Sequence, residues 1–531
     1  MSLAGGTSLE SRGVSVLAGA LLLGGPVWQY LYAQHYPFSR PEALVLSLGA
    51  MLLGAVSASL ARVIGGAVEA LVFGAMMFVF VDLQFDLHLW VPTAALVVAC
   101  VGLPFLVRQR RAALTSITLS AFYAASLVRA GPDSWSRDVP TQPIRSELPL
   151  VVHVILDGQW GVGGLRAAGD VETADFLTAF YRAHGFELHE AAYSRFYRTR
   201  ESVSSTLALG TVPSFTTPDP APDEFRLREI PYFERLRARG YTIEVQQSSY
   251  MDYCRAASAP VDSCETQPAN SIATIGHLRG DWVPRALYAG RYLLNIRSHA
   301  YARLAGDPNT WRRANAGGGI VALSRASESI ARRATGGAVF FIHVLLPHRP
   351  VVVDSQCRAL RERPWRREDA PFQPLGDSAW RALMAFEAGQ TRCAHLLLGT
   401  LIESVDAAVG RDRSIILVHG DHGARRYRDP PASLAPAALD RAALNAQFST
   451  LLAVRRPGVP PALHSEPVPL QDFVAALVRQ DFSGPVPGRW RHFVFGQPAD
   501  TVQRALAPAD MSWARTAAGS DTSRRPGAAA P

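Results

Sequence analysis

The stretch SIILVHGDHG, Ser414 to Gly423, decides how this chain is read. It opens as an apolar, β-branched run of strand length and then turns polar. A run without polar alternation is a strand covered on both faces, as in parallel sheets flanked by helices. Adjacent side chains in a strand point to opposite faces, so Asp421 and His422 can reach one point in space only from a turn. Gly420 and Gly423 bracket the pair and are expected to supply the backbone freedom for that turn.

Two further runs end in the same way. VVHVIL, Val151–Leu156, is followed by Asp157-Gly158, and VFFIHVLL, Val339–Leu346, by Pro347-His348-Arg349-Pro350. Thr242–Val245 and Ser449–Val454 are also apolar, and helical patterns fall at Glu172–His184, Arg200–Leu209, Tyr232–Arg239, Val321–Arg333 and Ala379–Val405. This alternation predicts a largely parallel α/β sheet within a globular domain over residues 149–503. Ligands of such sheets bind beyond the carboxyl ends of the strands, which singles out Asp157, His348, Asp421 and His422. A fourth segment, YSRFYRTRESVSSTLALG, places Thr199 directly before a helical run. Its hydroxyl reads as a helix N-cap, and also as a group held where a helix terminus would receive a phosphate or sulfate. His343, inside its strand, reads equally as a core histidine or a site residue, and His419 as a neighbour of the ligands.

The first quarter is different. Five apolar runs, Val14–Ala33, Ala43–Ala61, Ile64–Val81, Trp90–Val107 and Ala112–Val128, approach the roughly 20 residues needed to cross a bilayer. They predict an α-helical transmembrane bundle over 1–130, with Glu69 close enough to a bundle end to snorkel. Arg12, Arg62, Arg108, Arg110 and Arg111 fall on one side, which predicts a cytoplasmic N-terminus and an exported domain, periplasmic or extracellular, on a multi-pass cell (inner) membrane protein. Residues 131–148 read as a linker and 504–531 as a disordered tail. Four cysteines fall in the exported part. An even number in an oxidising compartment predicts disulfides: Cys254 with Cys264 closing a small loop, and Cys357 with Cys393 by elimination. A metal site is disfavoured because no Cys-x-x-Cys spacing occurs.

Composition narrows the function. The chain of 531 residues is 48% hydrophobic and 18% charged. All 53 basic residues are arginine, which excludes a Walker P-loop, a Schiff-base enzyme and a pyridoxal enzyme, each of which needs a lysine. The net charge of +8 is scattered, and no zinc-finger or RRM signature accompanies it, so nucleic acid is not an expected partner.

Together, Asp157 after the first exported strand, Thr199 at a helix start, His348-Arg349-Pro350 after a central strand and HGDHG at 419–423 resemble the sulfatase-like branch of the alkaline phosphatase superfamily. With N-terminal spans ahead of that domain, the chain most resembles lipoteichoic acid synthases and lipid A phosphoethanolamine transferases. The resemblance covers residues 148–480 and implies an α/β/α sandwich of alkaline phosphatase/sulfatase type. It implies Asp157, Thr199, Asp421 and His422 as ligands of one divalent metal ion, Zn or Mn before Ca or Mg. Thr199 would also be the nucleophile, and His348 would contact the transferred group or leaving oxygen. Arg198, Arg200 and Arg425, with His343, are candidates to bind substrate. Ser202, Ser204 and Ser205 are expected to line the helix. Thr199-Arg200-Glu201-Ser202-Val203 lacks the Cys or Ser followed by x-Pro-x-Arg of formylglycine sulfatases, which favours phosphate over sulfate esters. The expected activity is a membrane-bound phosphotransferase or phosphodiesterase acting on lipid-linked or glycan material of the cell envelope. A sulfuric ester hydrolase and an inactive membrane scaffold or binding module are the alternatives.

Overall fold

The computed structural model describes residues 9–64, 66–84, 147–210, 225–227, 229–255, 261–267, 272–298, 315–360, 375–484, 490–496, 503–507 and 510. The chain divides into two compact units, one of residues 1–133, 270–314 and 359–361, the other of 134–269, 315–358 and 362–531.

The first unit contains α1 (Leu9–Ala33), α2 (Pro41–Ile64) and α3 (Gly66–Gln84). Gly19 and Gly54 let α1 and α2 touch: a Cβ on Gly54 would lie 2.1 Å from the Gly19 carbonyl oxygen. Small residues of this kind bring helices together where no hydrophobic drive exists between them. The Arg62 guanidinium meets the Ser15 hydroxyl at 3.1 Å, joining the end of α2 to the start of α1. Gly13–Ala33 and Pro41–Ile64 are long and apolar enough to cross a membrane. Among the described residues these are two of the five expected spans; Leu71–Phe80 of α3 is a shorter apolar stretch, and the runs at 90–107 and 112–128 lie outside the described residues, as does the side chain of Glu69. The linker lies outside them too, except for its last two residues.

The second unit is built on an eight-stranded sheet. Its strands are β1 (Leu150–Leu156), β2 (Glu187–His189), β3 (Thr242–Ser248), β4 (Ser263–Gln267), β5 (Ala338–Val344), β6 (Ser414–Gly420), β7 (Leu452–Arg455) and β8 (Ala462–His464), in the order β8-β2-β7-β6-β1-β5-β3-β4. β6, β1, β5, β3 and β4 are mutually parallel, whereas β7 runs antiparallel to β6 and β2. Every residue of β1, β5 and β6 is buried, as their unbroken apolar runs require. Val151, Ile155, Val339, Phe341, Ile415 and Leu417 share one core with Tyr232, Phe233, Leu470 and Phe473 of two helices. Helices Asn315–Arg333 and Asp377–Val409 pack against each other and against β5 and β6 respectively. The result is the expected α/β/α arrangement. The three strands absent from the sequence reading, β2, β4 and β8, are three to five residues long with no more than two apolar residues each, so they carry no apolar run to detect. Cys254 is bonded to Cys264 and Cys357 to Cys393. Arg504 and Ala505, expected in the tail, lie in a strand, Gln503–Ala505, that pairs with Phe493–Phe495.

Candidate active site

β1 and β6 are neighbours with Leu156 opposite Gly420, so the next residues, Asp157 and Asp421, leave the sheet side by side. His343 lies opposite Ile155 on the other flank of β1. Strand alternation places Ile155, His343 and His419 on one face, and continuing it by two residues aims Asp157 and Asp421 above them. Asp421 and His422 do lie in a bend past the strand end. The glycines serve it differently from expectation. Neither Gly420 nor Gly423 has a positive φ. Instead, a Cβ on Gly420 would lie 2.4 Å from the Gln159 carbonyl oxygen, and one on Gly423 2.3 Å from that of Ala446. Close backbone approach selects these two, and Gly158, with φ +69°, takes the left-handed turn. Its N–H donates to Asp421 Oδ1 at 2.7 Å.

Thr199 is the first residue of helix Thr199–Leu207, and Arg198 holds the cap position without a side-chain cap bond. The N-cap reading of Thr199 is therefore corrected. Its Oγ1 points away from the helix N–H groups, 3.2 Å from Asp157 Oδ2 and 3.2 Å from His422 Nε2. His422 Nδ1 lies 2.6 Å from the Gly423 carbonyl, which can only accept. The ring proton is thus on Nδ1, and the Nε2 lone pair faces Asp421 Oδ2 at 3.3 Å.

Asp157, Asp421 and His422 are all buried, and one ligand atom of each lies within 4.8 Å of the others. Asp157 Oδ1 and Asp421 Oδ2 are buried without a hydrogen-bond partner among the described residues. Burial and the Asp421 carboxylate push Asp157 well above the usual carboxylate range, against the opposing pull of Arg425 and the Thr199 hydroxyl. Two adjacent buried carboxylates with unsatisfied oxygens, a hydroxyl and an imidazole lone pair form a donor set that fits a divalent cation.

Around this centre, His343 Nδ1 lies 2.7 Å from the Tyr253 hydroxyl, and its buried Nε2, unpartnered among the described residues, is 3.8 Å from Asp157 Oδ2. Burial lowers its pKa to about 4, so it is neutral. His348 Nδ1 lies 2.7 Å from the Arg349 carbonyl, and Arg425 approaches its Nε2 at 3.3 Å. A carbonyl only accepts and a guanidinium only donates, so His348 is neutral with its lone pair on Nε2. Burial, Arg425 and Arg349 all lower its pKa. Arg425 adopts φ +55°, an uncommon conformation for such a side chain, and lines a cavity with Trp160, Leu165, His348, Arg349 and Met384. The other two candidate arginines do not join it: Arg198 lies over the Tyr197 ring, and Arg200 is engaged by Glu201 and the Phe225 ring.

Sequence reasoning missed the supports. Ser202, read as helix lining, donates to the Asp421 carbonyl and meets Ser194 and Gln471. Gln390 donates to the carbonyls of Pro347 and His348, fixing the turn that carries His348. Both act on residues distant in sequence, so no local spacing marks them.

Asp157, Thr199, Asp421 and His422 thus gather beyond the carboxyl ends of β1 and β6. No protein-family model matches the chain, and no curated protein matches it. Among solved structures it is similar to the C-terminal periplasmic domain of EcEptC from Escherichia coli in complex with Zn (TM-score 0.41, 10% identity, covering 72% of this chain and 99% of that one). It is similar also to the phosphonate monoester hydrolase of Agrobacterium radiobacter (0.39, 12%, 66% and 80%) and to Ps i-CgsB (0.38, 13%, 64% and 73%). At such scores the likeness carries no weight for activity, which stands on the side-chain geometry alone.

Proposed function

We propose that the chain is a metal-dependent phosphotransferase or phosphodiesterase that acts on lipid-linked or glycan material of the cell envelope through a phosphothreonine at Thr199. The supporting observation is the convergence of the Thr199 hydroxyl with Asp157 and His422, beside carboxylate oxygens that have no other partner among the described residues. One divalent ion, Zn or Mn before Ca or Mg, would be held by Asp157, Thr199, Asp421 and His422 and would supply the charge that lowers the pKa of a hydroxyl. Thr199 Oγ1 then bonds to phosphorus as the bond to the leaving alcohol breaks, and the threonine proton ends on the leaving oxygen. Arg425 presents its forked donors to the nonbridging oxygens. In the second step the incoming hydroxyl, of water or a glycolipid, passes its proton to His348 Nε2 as its oxygen bonds to phosphorus and the phosphorus–Thr199 bond breaks; His348 then gives up that proton to the Thr199 oxygen, which restores the threonine hydroxyl and the neutral imidazole. The apolar helices α1 and α2 support a membrane anchor, and the Cys254–Cys264 and Cys357–Cys393 disulfides support a catalytic unit on the periplasmic or extracellular side. Full-length protein loaded with Zn or Mn should turn over a lipid phosphodiester. Turnover of sulfate esters with none of phosphodiesters contradicts the proposal.

A further inference from the structure

Helix Trp282–Arg297 belongs to the first unit although both of its flanks in the chain, β4 and helix Asn315–Arg333, belong to the second. One side of the helix is buried, through Tyr288, Ala289, Tyr292 and Leu293. It is tied to the membrane helices. Arg285 donates to both carboxylate oxygens of Glu42, at 2.7 and 3.1 Å, in a buried pair at the start of α2. Gly290 comes against Leu46 one turn further along α2, and Ser298, just past the helix, donates to Asp82 near the end of α3.

The helix also exposes apolar groups: Trp282, Val283 and Leu287 are 42, 47 and 59% exposed. At 100° per residue Val283 and Leu287 fall opposite the buried side, where a helix facing water carries polar side chains, and Trp282 is exposed at the first helical position. Tryptophan and aliphatic groups on a helix lying across the ends of membrane spans match the bilayer interface instead. The patch also continues that of α2, whose Leu44, Val45 and Leu48 are exposed around the contact at Leu46.

We infer that helix Trp282–Arg297 lies in the lipid interface and buries Trp282, Val283 and Leu287 in one leaflet, at the end of the bundle marked by Glu42 and Asp82. The inference rests on reading α1 and α2 as spans. It makes the insertion at 270–314 a second membrane attachment in the chain, independent of the connection that precedes the catalytic unit.

The test incorporates the photocrosslinker p-benzoylphenylalanine at Leu287 in the full-length protein in native membranes, with Leu48 on α2 and the 44%-exposed Leu463 on β8 as references. Lipid adducts at Leu287 should reach at least about a third of the Leu48 level and exceed Leu463 by about tenfold. Crosslinks from Leu287 to protein, whether to residues 90–128 or to a second copy, or no adduct while Leu48 labels lipid, overturn the inference alone. No lipid adduct at Leu48 removes the membrane reading beneath it.

Discussion

The Ser202 hydroxyl donates its proton to the main-chain carbonyl of Asp421 at 2.5 Å, so the nucleophile's helix and the turn carrying two ligands are joined by one buried hydrogen bond. Ser202 is also held by Gln471 Nε2 at 3.0 Å. Ser202→Ala leaves that carbonyl without its donor and should cost about 1–3 kcal/mol of stability. Metal affinity should fall by about 10- to 100-fold, as for other groups that orient ligands. Chemical denaturation and metal titration measure the two effects. Ser204→Ala, which loses only a bond to its own helix, should change metal affinity little.

Arg425 should separate strain from function. A left-handed arginine is disfavoured and asparagine tolerates that conformation, so Arg425→Asn should hold stability within about 1 kcal/mol of wild type. Turnover should fall by about 10²-fold or more, since the forked donor beside the reacting group is gone. Parallel activity and denaturation curves check this. Equal turnover in the variant removes Arg425 from substrate binding.

His395 predicts acid lability away from the site. It is fully buried between the Tyr181 hydroxyl and the Thr391 carbonyl, and burial lowers its pKa to about 4. Below the ordinary value of 6.5 the unfolded chain binds a proton that the folded one refuses, so stability rises with pH across that window. Acidification from 6.5 to about 4 should therefore remove about 3 kcal/mol through this residue. Unfolding followed against pH should show a shallower slope in His395→Gln. An unchanged slope rules out the buried neutral histidine as a cause.

Much of this architecture was legible because burial leaves a mark in sequence. β1, β5 and β6 are covered on both faces and appear as unbroken apolar runs, and the polar residues ending them, Asp157, His348 and Asp421-His422, stand at the site. Thr199 was visible only as a residue at a helix start. Nothing local distinguishes a hydroxyl turned toward Asp157 from one capping N–H groups. The glycines misled for the same reason: a close backbone approach to Gln159 or Ala446 is a long-range fact, whereas turn freedom is a local one. Arg198 and Arg200 sit nearer to Thr199 in sequence than Arg425 does, yet Tyr197 and Glu201 engage them. Proximity along the chain does not set the direction of a side chain.

The central claim is that Thr199 carries the phosphoryl group, and intact-protein mass measurement after brief exposure to a lipid phosphodiester, followed by peptide mapping, tests it most directly. A phosphoryl-containing adduct on Thr199 is the predicted result. It should be absent from Thr199→Ala, which keeps part of its metal because three ligands remain, whereas Asp421→Asn should lose metal and turnover together. A sulfo adduct, an adduct on another residue, or near wild-type turnover in Thr199→Ala would contradict the account.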